Sequence, residues 1–331
     1  MTLHLDSATI RQLCDEQVAY EAARRTIDGQ RSGQFALPPR MDVDVPTGFF
    51  RTMPAALGEH MGAKIMTLAK GVGNRYLLLV YRQATGELLA TLDASEVTRL
   101  RTAATTVVAG SMIVGDEVSE LGLIGTGFEA AGHLEAFAAK WPLRQVTVFS
   151  RSAERREAFA ARYSAELGIE VRPVADVAEV TGRHAVTVLC TKATEPVVDG
   201  TTFAPGATVL SIGATRPNLR ELDEATFARA RSVLVDDVDQ MLTECGDVRA
   251  AVAAGVLAAD DLVAMPSWPP PASEPRPGRD VTVFKSVGTA LQDLALAAGL
   301  IERATDRGLG RDIGEITELK AVPGAKAEVT S

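Results

Sequence analysis

Ten residues near the middle of the chain, Leu121-Gly122-Leu123-Ile124-Gly125-Thr126-Gly127-Phe128-Glu129-Ala130, constrain its fold more than any other segment. A short apolar run reads as a strand, a G-x-G-x-x-A turn follows it, and Glu129 to Lys140 continues with helical spacing. In that setting Gly125 permits the tight turn, Gly127 lets the backbone approach a pyrophosphate, and Ala130 lets helix pack closely on strand. The helix start adds unpaired N–H groups and the positive end of its dipole. The segment therefore predicts a dinucleotide-binding strand-helix-strand unit. Gly125, Thr126, Gly127, Phe128, Glu129 and Ala130 are its candidate cofactor contacts, with Thr191, just past the strand-like Ala185 to Leu189, as a further one.

The chain around this unit alternates. Leu121 to Ile124, Val146 to Phe149, Ala185 to Leu189, Thr208 to Ile212 and Ser232 to Val235 are short, apolar and β-branched, and most gaps between them carry helical patterns such as Ala153 to Leu167. That rhythm predicts an α/β fold, a doubly wound parallel sheet with helices on both faces. The chain before it reads differently: a helix from Ser7, as N-cap, to about Gly33, then strand-like Arg40 to Val45, Phe49 to Met53, Ala63 to Ala69, Tyr76 to Tyr81 and Leu88 to Leu92. This is the pattern of a helix on a mainly antiparallel sheet. An alanine-rich helix follows, opened by Ser95 and Glu96 and ending near Gly110. Residues 266–277 hold six of the sixteen prolines and are read as an exposed loop or a crossing between domains. Val281 to Phe284 is strand-like, Ser286 to Ile301 helix-like, and the tail from Ala321 is expected to be loosely held. A chain of 331 residues is long enough to split into two domains.

Charge and composition narrow the partners. With 34 Lys and Arg against 43 Asp and Glu, a net charge of −9, and no cluster of basic residues, a nucleic acid is not an expected partner. No apolar run approaches the roughly 18 to 20 residues that span a bilayer, and the N-terminal residues lack the pattern of a signal peptide, so no membrane partner and a cytoplasmic location are expected. Cys14, Cys190 and Cys245, like His4, His60, His133 and His184, are dispersed, which suggests neither a disulfide framework nor a metal site.

The end of the second strand of the nucleotide unit bears on which dinucleotide is taken. Enzymes selecting the nonphosphorylated form place an Asp or Glu there for the ribose 2′-hydroxyl. This chain has Ser150-Arg151-Ser152, with Arg155 and Arg156 one turn further on. Hydroxyl donors and guanidinium groups suit a 2′-phosphate, so NADP(H) is favoured over NAD(H).

Several segments together resemble the ornithine cyclodeaminase/mu-crystallin family: Arg40 before a strand, Met53-Pro54, Gly62-Ala63-Lys64-Ile65, Leu100-Arg101-Thr102-Ala103-Ala104, Gly125-Thr126-Gly127, Ile212-Gly213-Ala214, and Val283-Phe284-Lys285-Ser286-Val287-Gly288 followed by Leu291-Gln292-Asp293-Leu294. They occur in the same order over nearly the whole chain. The resemblance implies a central Rossmann domain, residues 116–285, and a discontinuous α+β substrate-binding and dimerisation domain, residues 1–115 and 286–331. It also implies a homodimer with the active site in the cleft between domains. The shared step of the family is hydride transfer between nicotinamide and the α-carbon of an amino acid or its imine, as in ketimine and pyrroline-2-carboxylate reductases, archaeal-type alanine dehydrogenase and ornithine cyclodeaminase.

A small imino or amino acid substrate brings a carboxylate, and Arg40, Lys64 and Arg101 stand in matching places, each close to the end of an expected element. Arginine holds a planar carboxylate bidentately and lysine adds a point charge; Lys70 is the decoy beside Lys64. The informative departure is Thr215. The cyclodeaminase members carry an aspartate two residues after the glycine matching Gly213, and a threonine hydroxyl is no base at neutral pH. Asp236, Asp237 and Asp239 follow the next strand and read as solvated loop charges. The chain is therefore expected to be an NAD(P)H-dependent imine reductase or amino acid dehydrogenase, with Lys64, or a water ordered by Thr215, supplying the proton. The alternatives are an ornithine cyclodeaminase, with Asp236 as the substitute carboxylate, and a mu-crystallin-like binding protein without turnover.

Overall fold

The computed structural model of the chain describes residues 2–269, 277–316 and 320. Its first sheet is built from β1 (Leu3–Leu5), β2 (Phe35–Ala36), β3 (Met41–Val45), β4 (Gly48–Leu57), β5 (His60–Ala69), β6 (Gly73–Arg82) and β7 (Leu88–Asp93). β4 through β7 form an antiparallel meander, and β1 joins its edge parallel to β7, so the sheet is mixed. The expected single N-terminal helix is two, α1 (Ser7–Leu13) and α2 (Glu16–Arg31), because Cys14 and Asp15 are extended. Asp6 and Asp15, not Ser7, are the caps: their carboxylates accept the N–H groups of Thr9 and Val18. α3 (Ala94–Val114) is capped by Asp93 and runs a turn past Gly110.

The second sheet is wholly parallel, with the order β10 (Glu170–Val174), β9 (Gln145–Phe149), β8 (Glu120–Ile124), β11 (Val186–Leu189), β12 (Thr208–Ser211), β15 (Val281–Lys285), β13 (Ala230–Val235), β14 (Leu262–Ala264). The glycine-turn strand β8 lies inside it. The edge strands β10 and β14 escape a periodicity reading: the first carries Pro173, and only an edge tolerates proline, while the second has three residues. Helices α4 (Phe128–Lys140), α5 (Ala153–Leu167), α6 (Ala178–Thr181), α7 (Glu224–Ala228), α8 (Val238–Glu244) and α9 (Gly246–Ala253) flank the sheet. Leu121, Leu123, Val146, Val148 and Val186 pack on one face with Phe137 and Trp141, and also with Ala23 and Ile27 of α2 and Ala104 and Val107 of α3. Ile124, Leu189, Val209 and Val283 pack on the other with Phe227, Met241 and Val248. Burial on both faces explains why these strands read as continuous apolar runs.

α10 (Ala290–Arg307) begins later than the sequence suggests, because residues 286–289 form a loop; at the helix start the Gln292 side-chain oxygen accepts the Thr289 N–H at 3.3 Å. It packs under β4 and β5, and β16 (Arg311–Asp312) pairs with β1, so the end of the described chain completes the first sheet. Among the described residues, then, the fold is α/β with a Rossmann sheet and a second, mixed sheet. Of the proline-rich stretch, Pro266 and Ser267 lie in a short 3-10 turn, and Trp268 donates from Nε1 to the Met112 carbonyl oxygen. Residues 270–276, expected to lie in an exposed loop, and the tail from Ala321 lie outside the described residues.

Candidate active site

Register on the first sheet sets out one wall of a cavity. Met53, Lys64 and Leu78 form a row across β4, β5 and β6, Arg51, Met66 and Tyr76 the next, and Phe49, Leu68 and Asn74 the third, all pointing to one face. α10 covers this face beyond the first row, with Leu291, Leu294 and Ala295 against Met53, Ala55 and Val80. The other rows look across a cavity of about 1450 Å³ to α3, the 286–288 loop and the strand ends of the Rossmann sheet. Lys64 stands at the boundary between the covered and the open half.

The glycine turn forms the opposite wall. Gly125 has φ 120°, and a Cβ there would lie 2.5 Å from the Cys190 carbonyl oxygen, so only glycine fits. A Cβ on Gly127 would meet nothing within 4 Å: the backbone there faces open cavity at the start of α4, which is the cradle a dinucleotide pyrophosphate needs. Thr126, Phe128 and Glu129 line the same wall, while Ala130 is fully buried as the packing residue. At the end of β9 the Ser152 hydroxyl oxygen accepts the Arg155 N–H at 3.3 Å, and Ser150 donates to the Ser152 carbonyl oxygen at 3.1 Å. Arg151 and Arg155 are exposed on the cavity wall and make no ion pair among the described residues. Arg156 is turned back, donating to the Ser150 carbonyl oxygen at 3.2 Å. The residues therefore fit a dinucleotide.

Two cations meet one carboxylate at the inner end. Lys64 Nζ is 2.6 Å from Asp293 Oδ2, Arg101 Nε donates to Asp293 Oδ1 at 3.0 Å, and Arg101 Nη1 donates to Gln292 Oε1 at 2.8 Å. Lys64, Arg101 and Asp293 are all buried. Burial pulls the Lys64 ammonium down to about 8 against the opposing pull of Asp293. Burial would raise the Asp293 carboxyl, but Arg101 and Lys64 together hold it below the usual carboxylate range. Two positive groups against one negative leave one unit of positive charge on the cavity wall.

Arg40 also lines the cavity and is buried rather than solvated, but its donors are largely engaged. Nε pairs with Glu244 Oε2 at 2.7 Å, and Nη2 donates to Gln240 Oε1 at 2.9 Å and the Gly288 carbonyl oxygen at 2.8 Å. Lys70 is exposed and donates to the Pro46 carbonyl oxygen, away from the cluster. Thr215 lines the cavity with a hydroxyl that no protein group engages among the described residues. Asp236 overturns its reading as a solvated loop charge: it is buried, and its Oδ2 accepts Ser286 Oγ and the Gly288 N–H, both at 2.7 Å. It does not line the cavity; it holds the 286–288 loop. Asp237 caps α8, and Asp239 is the exposed one.

Sequence reasoning missed the second network. Glu221 Oε1 accepts the Thr191 N–H and hydroxyl, and Oε2 accepts Ser211 Oγ and the Gly213 N–H, at 2.5 to 2.8 Å. The Thr191 hydroxyl is thus already committed. Behind Glu221, Lys285 Nζ lies 2.6 Å from Ser211 Oγ and 3.0 Å from Asp247 Oδ2, and all three charged side chains are sealed. A Cβ on Gly213 would lie 1.8 Å from the Thr191 carbonyl oxygen, so the two strand-end loops touch. The signal existed: Lys285 closes the apolar run Val281-Thr282-Val283-Phe284, as Asp293 sits between leucines of a helix. A charge inside an apolar run needs a partner.

Residues 7–308 match the family model described as the ornithine cyclodeaminase/mu-crystallin family. Ketimine reductase mu-crystallin of Mus musculus is 30% identical over 287 residues, 84% of this chain and 88% of the relative. Among solved structures, Thermococcus litoralis Delta(1)-pyrroline-2-carboxylate reductase, in complex with NADH and L-proline, superposes with a TM-score of 0.86 and 27% identity, covering 94% of this chain and 100% of the other. An archaeal alanine dehydrogenase dimer with bound NAD gives the same TM-score at 27% identity, covering 95% and 99%.

Proposed function

Since the chain belongs to the ornithine cyclodeaminase/mu-crystallin family, we propose that it reduces α-imino acids, or in reverse oxidises α-amino acids, with a nicotinamide dinucleotide. The observation that carries the reading is the Lys64–Arg101–Asp293 cluster, whose surplus positive charge faces the same cavity as the Gly125–Gly127 turn. A substrate carboxylate neutralises that surplus. Arg101, locked by Asp293 and Gln292, keeps Nη2 for it, and Lys64 adds a charge beside it. Arg40, engaged with Glu244, Gln240 and the Gly288 carbonyl, closes the same wall and steadies the 286–288 loop.

When bound along the glycine turn, the dinucleotide supplies the hydride for the α-carbon. The protein's part is to hold that carbon about 3 to 3.5 Å from the donor, where effective molarity is gained, and to provide a proton at nitrogen. Gly125, Thr126 and Gly127 cradle the pyrophosphate, with Phe128 and Glu129 following in the first turn of α4. Ser150, Arg151, Ser152 and Arg155 surround the ribose, and the unpaired guanidinium groups support NADP(H) over NAD(H). The protein acts as a cytoplasmic homodimer in this reading. Support for the dimer is an exposed apolar strip, Met41, Val43 and Val45 of β3 beside Phe50 of β4.

Thr215 argues against ornithine cyclodeaminase, and the structure offers no substitute in Asp236, which is spent on the 286–288 loop. The test is oxidation of NADPH and of NADH with pyrroline-2-carboxylate, piperideine-2-carboxylate and pyruvate plus ammonia, with L-ornithine as the control. Turnover of an imino acid is expected. Release of ammonia and proline from L-ornithine would point to the cyclodeaminase, and tight NADPH binding with no turnover of any of these to a binding protein.

A further inference from the structure

Among the described residues, the Glu129 carboxyl has no hydrogen-bond or ion-pair partner. Glu129 is the residue before Ala130 in the first turn of α4, its side chain lines the cavity, and its Oε2 is buried without a hydrogen bond. No ion pair or side-chain hydrogen bond reaches its carboxyl among the described residues; its backbone carbonyl oxygen meets His133 Nδ1 at 2.7 Å. A carboxyl oxygen buried without a partner costs stability that an apolar residue would not, so its presence on the wall of the cavity asks for a role. Arg101 and Arg99 of α3, Lys64 of β5, Tyr76 of β6, and Cys190 and Lys192 after β11 are the titratable groups that couple to it electrostatically. Burial outweighs these cations and raises the carboxyl above the usual range, the condition under which a carboxylic acid still carries a proton to give. Lys64, the other proton source in reach, is tied to Asp293 at 2.6 Å and needs its charge for the substrate carboxylate.

We propose that Glu129 is the general acid of the reaction, delivering a proton from its carboxyl to the imine nitrogen as hydride arrives at the α-carbon. The inference rests on the imine-reductase reading. The Glu129 O–H bond breaks and an N–H bond forms; the C=N π pair goes to nitrogen; the reduced nicotinamide dinucleotide is oxidised and the imine reduced to the amine. The Glu129 carboxylate left behind regains its proton from water. In the oxidative direction the same carboxylate takes the proton from the amine.

Glu129→Gln tests this without disturbing packing, since the carboxyl makes no hydrogen bond to lose. Steady-state reduction of an imino acid by NADPH is measured across pH, beside pH-difference infrared spectra of ligand-free protein. Wild-type kcat/KM should fall as pH rises through the Glu129 pKa, and the variant should lose that fall and, at low pH, about a hundredfold in kcat with KM changed less than threefold. The wild-type spectrum should show a protonated-carboxyl band, absent from the variant, titrating with the midpoint of that limb; Glu129→Asp should restore part of the rate. A variant that keeps kcat within threefold and the same pH limb overturns the assignment. Wild-type protein that turns over no imino acid overturns the reading beneath it, a result distinguishable from the first.

Discussion

Among the described residues two lysines, Lys64 and Lys285, are buried beside acidic partners, and they differ in what surrounds them. Lys64 and Arg101 share one carboxylate, Asp293, at the edge of an open cavity, so positive charge is left over. Lys285 meets two carboxylates, Glu221 and Asp247, in a sealed pocket behind the strand ends, with Arg220 Nε 3.9 Å from Asp247. Burial pulls the Lys64 ammonium down to about 8, whereas at Lys285 Asp247, Cys245 and Glu221 outweigh burial and raise it. In the proposed reading the incomplete cluster facing the cavity takes a ligand, whereas the complete one holds backbone. What Lys285 and Glu221 position is the pair of loops at Thr191 and Gly213 that floor the site.

The sharpest way to break this contrast is to remove each lysine. Lys285→Met strands two buried carboxylates and should cost about 3–5 kcal/mol of folding stability, read by chemical denaturation. A variant as stable as wild type would mean that the sealed cluster holds nothing. Lys64→Met should instead lower kcat/KM for an imino acid by about a hundred- to thousandfold, roughly 3–4 kcal/mol of lost transition-state binding, through a charge pair truncated in a buried site. If its dominant effect were on stability rather than on KM and kcat, the two clusters would be alike.

Smaller effects sharpen the same division. Arg151→Ala should raise KM for NADPH about tenfold and leave KM for NADH nearly unchanged, because only the former offers a phosphate to an unpaired guanidinium. Equal losses for both would assign Arg151 to adenine packing. For Lys64 the sign of the pH effect is fixed: its ammonium is present below about 8 and lost above, so substrate affinity should weaken as pH rises through that value, and this alkaline limb should persist in Glu129→Gln. A profile flat to pH 10 would mean that Lys64 stays charged or is not used.

How much of this was legible depended on whether a residue's task is local. The Gly125–Gly127 turn and the runs around Leu123, Val148 and Val188 announce themselves because a tight turn and a strand buried on both faces restrict residue type within a few positions. The helix break at Cys14 was invisible, since helical apolar spacing continues on both sides and Asp15 reads as an ordinary polar residue until its cap is seen. Partnerships across long separations were equally hidden. Arg101 and Asp293 are 192 residues apart, and Arg40 and Gln240 200, so spacing carries no trace of either contact. Asp236 is hidden for the same reason: its partners, Ser286 and Gly288, sit on a loop that apolar spacing alone assigns to a helix.

The most direct test of the incomplete cluster is a comparison of two substrates. kcat/KM with NADPH is measured for Delta(1)-pyrroline-2-carboxylate and for Delta(1)-pyrroline, which has the same ring and imine but no carboxylate. If Lys64 and Arg101 are held one carboxylate short in order to take the substrate's, the second compound should be poorer by about a thousandfold or more, because it leaves buried charge unmatched. Rates within tenfold of each other would contradict the account, leaving both lysine clusters as scaffold.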